Sequence, residues 1–211
     1  YTFKVAAKNA AGVGSEATSG GVTPRTVAGA PSNVAGTPGD RTVNLTWSAP
    51  VDTGGAAVSD YVVQYCTTEC TTFTDAVSSD TKATVTGLTN GTGYTFQVAA
   101  VNDAKAGSYS ARSSEIIPRT VPGIPTNATA VANNVGGVQV SWTAPTDNGG
   151  AVITDYMVQS CISTTCSNFA HSPESALTSQ TVTGLTKGTA YTFKVAAKNV
   201  AGFGGYSTAS S

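Results

Sequence analysis

Four cysteines are the residues best placed to do chemistry. They fall in two short-range pairs, Cys66 with Cys70 and Cys161 with Cys166. A thiolate can ligate zinc, react as a nucleophile or oxidise to a disulfide. A structural zinc site needs four ligands on one centre; here the pairs lie 95 residues apart, one in each repeat. The spacing favours one local disulfide per pair, with free thiols and a shared metal as the alternatives. A loop this short removes little entropy from the unfolded chain. Such a bridge is therefore expected to add less than the usual ~2–4 kcal/mol and chiefly to fix the shape of one loop. Oxidised pairs would place the chain outside the cell or on its surface.

The other polar candidates are weaker. His171, in Ala170-His171-Ser172-Pro173, is the single histidine, and a base or ligand needs a partner. No Ser, His and Asp set can be assembled twice, since residues 28–119 hold no histidine. Neither catalysis, a cofactor nor a metal is expected. Asp52 and Asp147 occupy equivalent Asp-x-Gly-Gly loops. Calcium would accept their oxygens, but an Asp ahead of Gly ordinarily caps its own turn. Asn44, Asn90 and Asn127 each open an Asn-x-Thr sequon, of consequence only in a eukaryotic secretory host. Phe73, Tyr109, Phe169, Phe203 and Tyr206 fall outside the core pattern described below. Of these, Phe203, Tyr206 and Tyr109 are taken as a candidate contact surface. The competing reading is that they pack at joins or cover sheet edges.

Composition limits what could position these residues. Of 211 residues only 11% are charged, net charge is −1, and 34 Thr, 21 Ser and 23 Gly dominate. Long solvated helices need more Lys, Glu and Arg than this, and nucleic-acid binding needs a basic face. No apolar run approaches the ~20 residues that span a bilayer, so no membrane insertion is expected of this stretch. The opening Tyr1-Thr2-Phe3-Lys4 has neither a basic nor an apolar leader region, so no signal peptide is expected in it.

A repeat organises the chain. Tyr1-Thr2-Phe3-Lys4-Val5-Ala6-Ala7-Lys8-Asn9 returns as Tyr94 to Asn102 and again as Tyr191 to Asn199. Trp47 and Trp142 are 95 apart, and Pro24-Arg25-Thr26-Val27 recurs as Pro118-Arg119-Thr120-Val121. A unit of about 95 residues is one small domain and is too long for a solenoid repeat. The phase divides the chain into residues 1–27, the terminal strands of a preceding module, and two modules at 28–119 and 120–211. The whole reads as a stretch of a longer array.

Within a module the period is two. Val43, Leu45 and Trp47 alternate with Asn44 and Thr46, and Tyr94, Phe96 and Val98 alternate with Thr95 and Gln97. Successive side chains of a strand point to opposite faces, so such alternation predicts half-buried antiparallel strands. With turns such as Asp52-Thr53-Gly54-Gly55 between them, the strands predict an all-β fold of two-sheet sandwiches. The expected core is Trp47, Tyr61, Val63, Leu88, Tyr94, Phe96 and Val98 in the first module. In the second it is Trp142, Tyr156, Val158, Leu185, Tyr191, Phe193 and Val195.

These residues resemble fibronectin type III modules. Trp47, Ala49-Pro50, the Gly-Gly loop and Asp60 to Tyr65 are similar to that family's strands B and C. Gly87-Leu88 ahead of Tyr94 to Asn102, and Gly184-Leu185 ahead of Tyr191 to Asn199, are similar to its E–F corner and F strand. The Pro-Arg-Thr-Val joins resemble bacterial secreted versions. The family's Arg-Gly-Asp tripeptide is absent, and with it any named receptor. The resemblance implies tandem immunoglobulin-like β-sandwiches acting as spacer, scaffold or binding module. Composition and repeat together suggest a non-enzymatic structural or adhesive array, extracellular or at the cell surface, as in a fibre or surface layer. Its expected partners are neighbouring modules or copies of itself, or a glycan or host surface protein. The alternatives are accessory modules of a secreted polysaccharide-degrading enzyme, or a glycan- or protein-binding module using the F–G loops.

Overall fold

A computed structural model describes the chain except for residues 68, 74–79, 134–135, 164, 170–174 and 211; at 72, 73, 168 and 169 it describes the backbone alone. His171 lies outside the described residues. Every regular element among those described is a strand. Contact density divides the chain into a unit of Tyr1–Ala35, Leu45–Ala83 and Thr95–Ser114 and a unit of Gly36–Asn44, Thr84–Tyr94 and Glu115–Ser211.

At the start lie four two-residue strands, β1 (Lys4–Val5), β2 (Lys8–Asn9), β3 (Gly12–Val13) and β4 (Ala17–Thr18). β1 pairs with β4, and β2 pairs with β3. Tyr1, Phe3 and Val5, which repeat the core positions of the later modules, are exposed here.

Seven strands follow: β5 (Ser32–Gly39), β6 (Thr42–Ser48), β7 (Asp60–Cys66), β8 (Cys70–Phe73), β9 (Lys82–Val85), β10 (Thr95–Asn102) and β11 (Lys105–Tyr109). They form a three-stranded sheet, β5-β6-β9, and a four-stranded sheet, β11-β10-β7-β8. The pattern then repeats with β12 (Thr126–Ala132), β13 (Val138–Thr143), β14 (Asp155–Ile162), β15 (Thr165–Phe169), β16 (Ser179–Val182), β17 (Thr192–Asn199) and β18 (Gly202–Phe203). Its sheets are β12-β13-β16 and β15-β14-β17-β18.

The alternation explains which faces meet. Val43, Leu45 and Trp47 are buried while Asn44 and Thr46 are exposed. Rings of Trp47 on β6 and Tyr61 on β7 meet edge to face, with centroids 5.2 Å apart. Trp142 and Tyr156 repeat the contact at 5.1 Å. In the second copy Val140 and Trp142 from one sheet pack with Tyr156, Val158, Phe193 and Val195 of the other. Two sheets thus close on one core, as in any aligned sandwich. Burial pushes the Tyr61 and Tyr156 phenols above their ordinary range, and the neighbouring Trp47 and Trp142 indoles act in the opposite sense.

The two copies differ at one end of the core. Leu88 and Tyr94 are buried, at 2% and 7% exposure, whereas their counterparts Leu185 and Tyr191 are only half-buried. The expectation that both pairs are core holds for the first copy alone. In each, the tyrosine hydroxyl still accepts a hydrogen bond across the preceding turn, from the N–H of Thr89 or Thr186 at 3.1 Å.

Removing an indole from this contact leaves a cavity that the rigid sheets cannot collapse. Trp142→Ala is expected to cost about 3–5 kcal/mol. Urea unfolding followed by far-UV circular dichroism measures it, and a loss below about 1 kcal/mol would contradict the assigned core.

Candidate contact surface and linker clamp

The cysteines pair within each module. Cys66 ends β7, Cys70 begins β8, and the two are direct register partners; the bond joins them with Cα atoms 4.1 Å apart. Cys161 and Cys166 repeat this across β14 and β15, with Cα atoms 4.0 Å apart. Each bridge pins a sheet-edge strand to its neighbour. Cys66 and Cys161 are buried, while Cys70 and Cys166 are exposed. The Arg112 guanidinium lies 3.2 Å from Cys70 Sγ.

The aspartates close their own turns. Asp52 Oδ1 accepts from the Gly54 N–H, and Asp147 Oδ1 from that of Gly149, both at 2.8 Å. Among the described residues no group of three or more His, Cys, Asp or Glu side chains is placed to hold a metal. Of the sequon asparagines, Asn90 is engaged at both ends of its amide: Nδ2 donates to Asp40 and Oδ1 accepts from the Arg41 N–H.

The three aromatic candidates lie along one sheet edge in their modules. Tyr109 ends β11 in register with Ala99. Phe203 is on β18 opposite Lys198, whose ammonium sits 5.3 Å from the ring centroid. Tyr206 lies just beyond β18. All three are between 37% and 40% exposed. Tyr109 and Tyr206 hold the same repeat position, each one residue ahead of a serine that secures the edge. Ser110 Oγ accepts from the Val98 N–H, and Ser207 Oγ from that of Val195. Phe203 has no aromatic counterpart, since Ala106 stands opposite Val101 at the matching place. Only the second copy therefore combines Phe203, Tyr206 and Lys198. Phe73 and Phe169 have side chains outside the described set.

A second repeated arrangement was not singled out from the sequence. Asn102 is buried at the end of β10. Its Nδ2 donates to the carbonyls of Thr26 and Thr53 at 2.8 Å, and its Oδ1 accepts from the Ala104 N–H at 2.9 Å. Asn199 does the same for Thr120, Asn148 and Ala201, all at 2.8 Å. One amide thus ties together the incoming chain, the Gly-Gly loop and the turn after the strand. The incoming threonine is held from both sides, because the Thr26 N–H donates to Gly54 O and the Thr120 N–H to Gly149 O. Gly54 and Gly149 have φ of +68° and +71°, and a Cβ on either would lie 2.2 Å from the threonine carbonyl oxygen. The available signal was the repeated Asn at the end of the Tyr-Thr-Phe segment.

Loss of the Asn199 side chain leaves two carbonyls and an N–H without that partner, an expected cost of about 1–3 kcal/mol. Gly149→Ala should cost more, through backbone strain and direct overlap with Thr120. Denaturant unfolding of both variants tests this, and an Asn199→Ala protein as stable as the parent would remove the clamp from the account.

Among the described residues no helix is long and apolar enough to cross a membrane. The chain is 39% identical to Exoglucanase A of Cellulomonas fimi over 96% of its own length and 24% of that protein's. It is 36% identical to Chitinase A1 of Niallia circulans over 76% of the chain and 22% of the enzyme. With Endoglucanase B of Cellulomonas fimi it shares 39% identity over 75% of the chain and 15% of the enzyme. The matched segments make up less than a quarter of each of these relatives. The fibronectin type III domain model matches residues 29–116 and 123–211, and with two sandwiches in tandem the chain belongs to the fibronectin type III family.

Proposed function

We propose that these modules are a non-catalytic spacer in a secreted polysaccharide-degrading enzyme. The observation that carries the reading is the 39% identity to Exoglucanase A, which runs through 96% of this chain while covering 24% of that protein. Chitinase A1 and Endoglucanase B match in the same partial way. These relatives favour the enzyme-accessory role over the self-assembling or adhesive array suggested by composition alone.

The physical work of such a spacer is to hold its neighbours apart at a defined reach. A Gly/Ser linker behaves as a flexible coil. Here Thr26 and Thr120, each in a Pro-Arg-Thr-Val join, are bonded through N–H and C=O to the sandwich that follows them. That removes freedom from the joining segment itself. The two disulfides, one in each module, favour an oxidising, extracellular setting. Tyr109, Phe203 and Tyr206 are the aromatic surface assigned to glycan or protein contact in this role.

Deleting residues 29–211 from the full-length protein tests the proposal. Hydrolysis of a soluble oligosaccharide should be unchanged, while hydrolysis of insoluble polymer should fall several-fold. Unchanged activity on both substrates, or the absence of any glycoside-hydrolysing domain in the full-length protein, would sink the reading.

A further inference from the structure

We propose that the second module carries a binding site for one neutral sugar ring, centred on Ser160 at the partly open end of its core. A recess of about 190 Å³ there is lined by Ser160, Ile162, Thr165, Ser167, Leu185 and Tyr191. That equals roughly six water volumes at about 30 Å³ each, room for a single ring rather than a drug-sized ligand.

Ser160 is the reason to expect a ligand. It continues the inward-facing series Tyr156, Val158, Ser160 on β14 and is only 4% exposed. Its side chain lines the recess and brings a hydroxyl to it. Ser167 stands directly opposite it on β15, and Phe193 opposite it on β17.

The first module has a larger residue at this place. There Tyr65 stands opposite Thr71 and Phe96 in the same register. Where the phenol ring stands at that position, Leu88 and Tyr94 are buried; where serine stands, Leu185 and Tyr191 are half-buried. The exchange puts a hydroxymethyl group where the first copy has a half-buried aromatic ring, and adds a hydroxyl to those lining the recess.

The lining selects the ligand class. Among the described residues none of its lining side chains is a carboxylate, an ammonium or a guanidinium, so none of them balances a charged ligand. Ser160, Thr165, Ser167 and Tyr191 offer four hydroxyls, which a purely apolar ligand would leave unmatched. Ile162, Leu185 and the Tyr191 ring supply apolar surface for the C–H face of a pyranose, while the hydroxyls face its polar rim. The Thr186 N–H, donating to the Tyr191 oxygen, holds that phenol below its ordinary range and sharpens it as a donor.

Titration of this chain with glucose, with N-acetylglucosamine and with glycerol, followed by amide ¹H–¹⁵N NMR, tests the site. At least one sugar should give saturable shifts confined to residues 160–167 and 184–191, with Kd on the order of 1–10 mM. Glycerol, an open-chain polyol, should not. Ser160→Tyr, which restores the first module's residue, should abolish the shifts. Ser160→Ala should weaken binding about 3–10-fold and carries the test if the tyrosine variant fails to fold. No saturation by either sugar up to about 100 mM, an equal response to glycerol, or undiminished binding by both variants would overturn the proposal. So would loss of the shifts when the titration is repeated on the full-length protein. Because the readout is monosaccharide binding by these modules, its failure is distinguishable from failure of the spacer role, which is read from activity on insoluble polymer.

Discussion

The meeting of an indole with a phenol across two sheets sets the geometry on which the rest depends. Trp47 reaches Tyr61, and Trp142 reaches Tyr156, in nearly the same arrangement. Side chains alternate with a period of two, so a one-residue slip would carry Val43, Leu45 and Trp47 to the solvent face together. The contact therefore fixes register as well as contributing burial. With register set, β7 and β8 bring Cys66 opposite Cys70, and the end of β10 brings Asn102 within reach of Thr26 and Thr53. Disulfide and clamp alike are consequences of strands held at the correct offset.

The two modules keep this centre and vary around it. Tyr65 and Ser160 occupy one register position at the end of the core. Ala106 and Phe203 occupy another on the sheet edge, opposite Val101 and Lys198. Such exchanges are tolerated because they lie at the periphery of the packed interior, where a change of volume can be met by solvent. Changes at Val63 or Val158, both fully buried, would have no such outlet. Differences between copies that share a core are accordingly where distinct binding properties can arise. The Asn clamp, identical in its bonding pattern in both copies, belongs to the conserved mechanics of the join.

The sequence by itself determined the all-strand fold, the length of the repeating unit and the central core residues, because alternation and turn chemistry are local and appear twice. The cysteine pairing was also legible, since partners four and five residues apart can meet only across a tight turn. The Asn102 clamp was not, although its asparagine stood in plain view, because its partners Thr26 and Thr53 are 76 and 49 residues away. Tertiary structure alone decided that Leu185 and Tyr191 are half-buried where Leu88 and Tyr94 are sealed, and that Ser160 opens onto a recess. These are outcomes of how side-chain volumes from separate strands fill a shared space. A linear pattern records which face a residue takes, while the space it must fill is set by neighbours brought together only on folding.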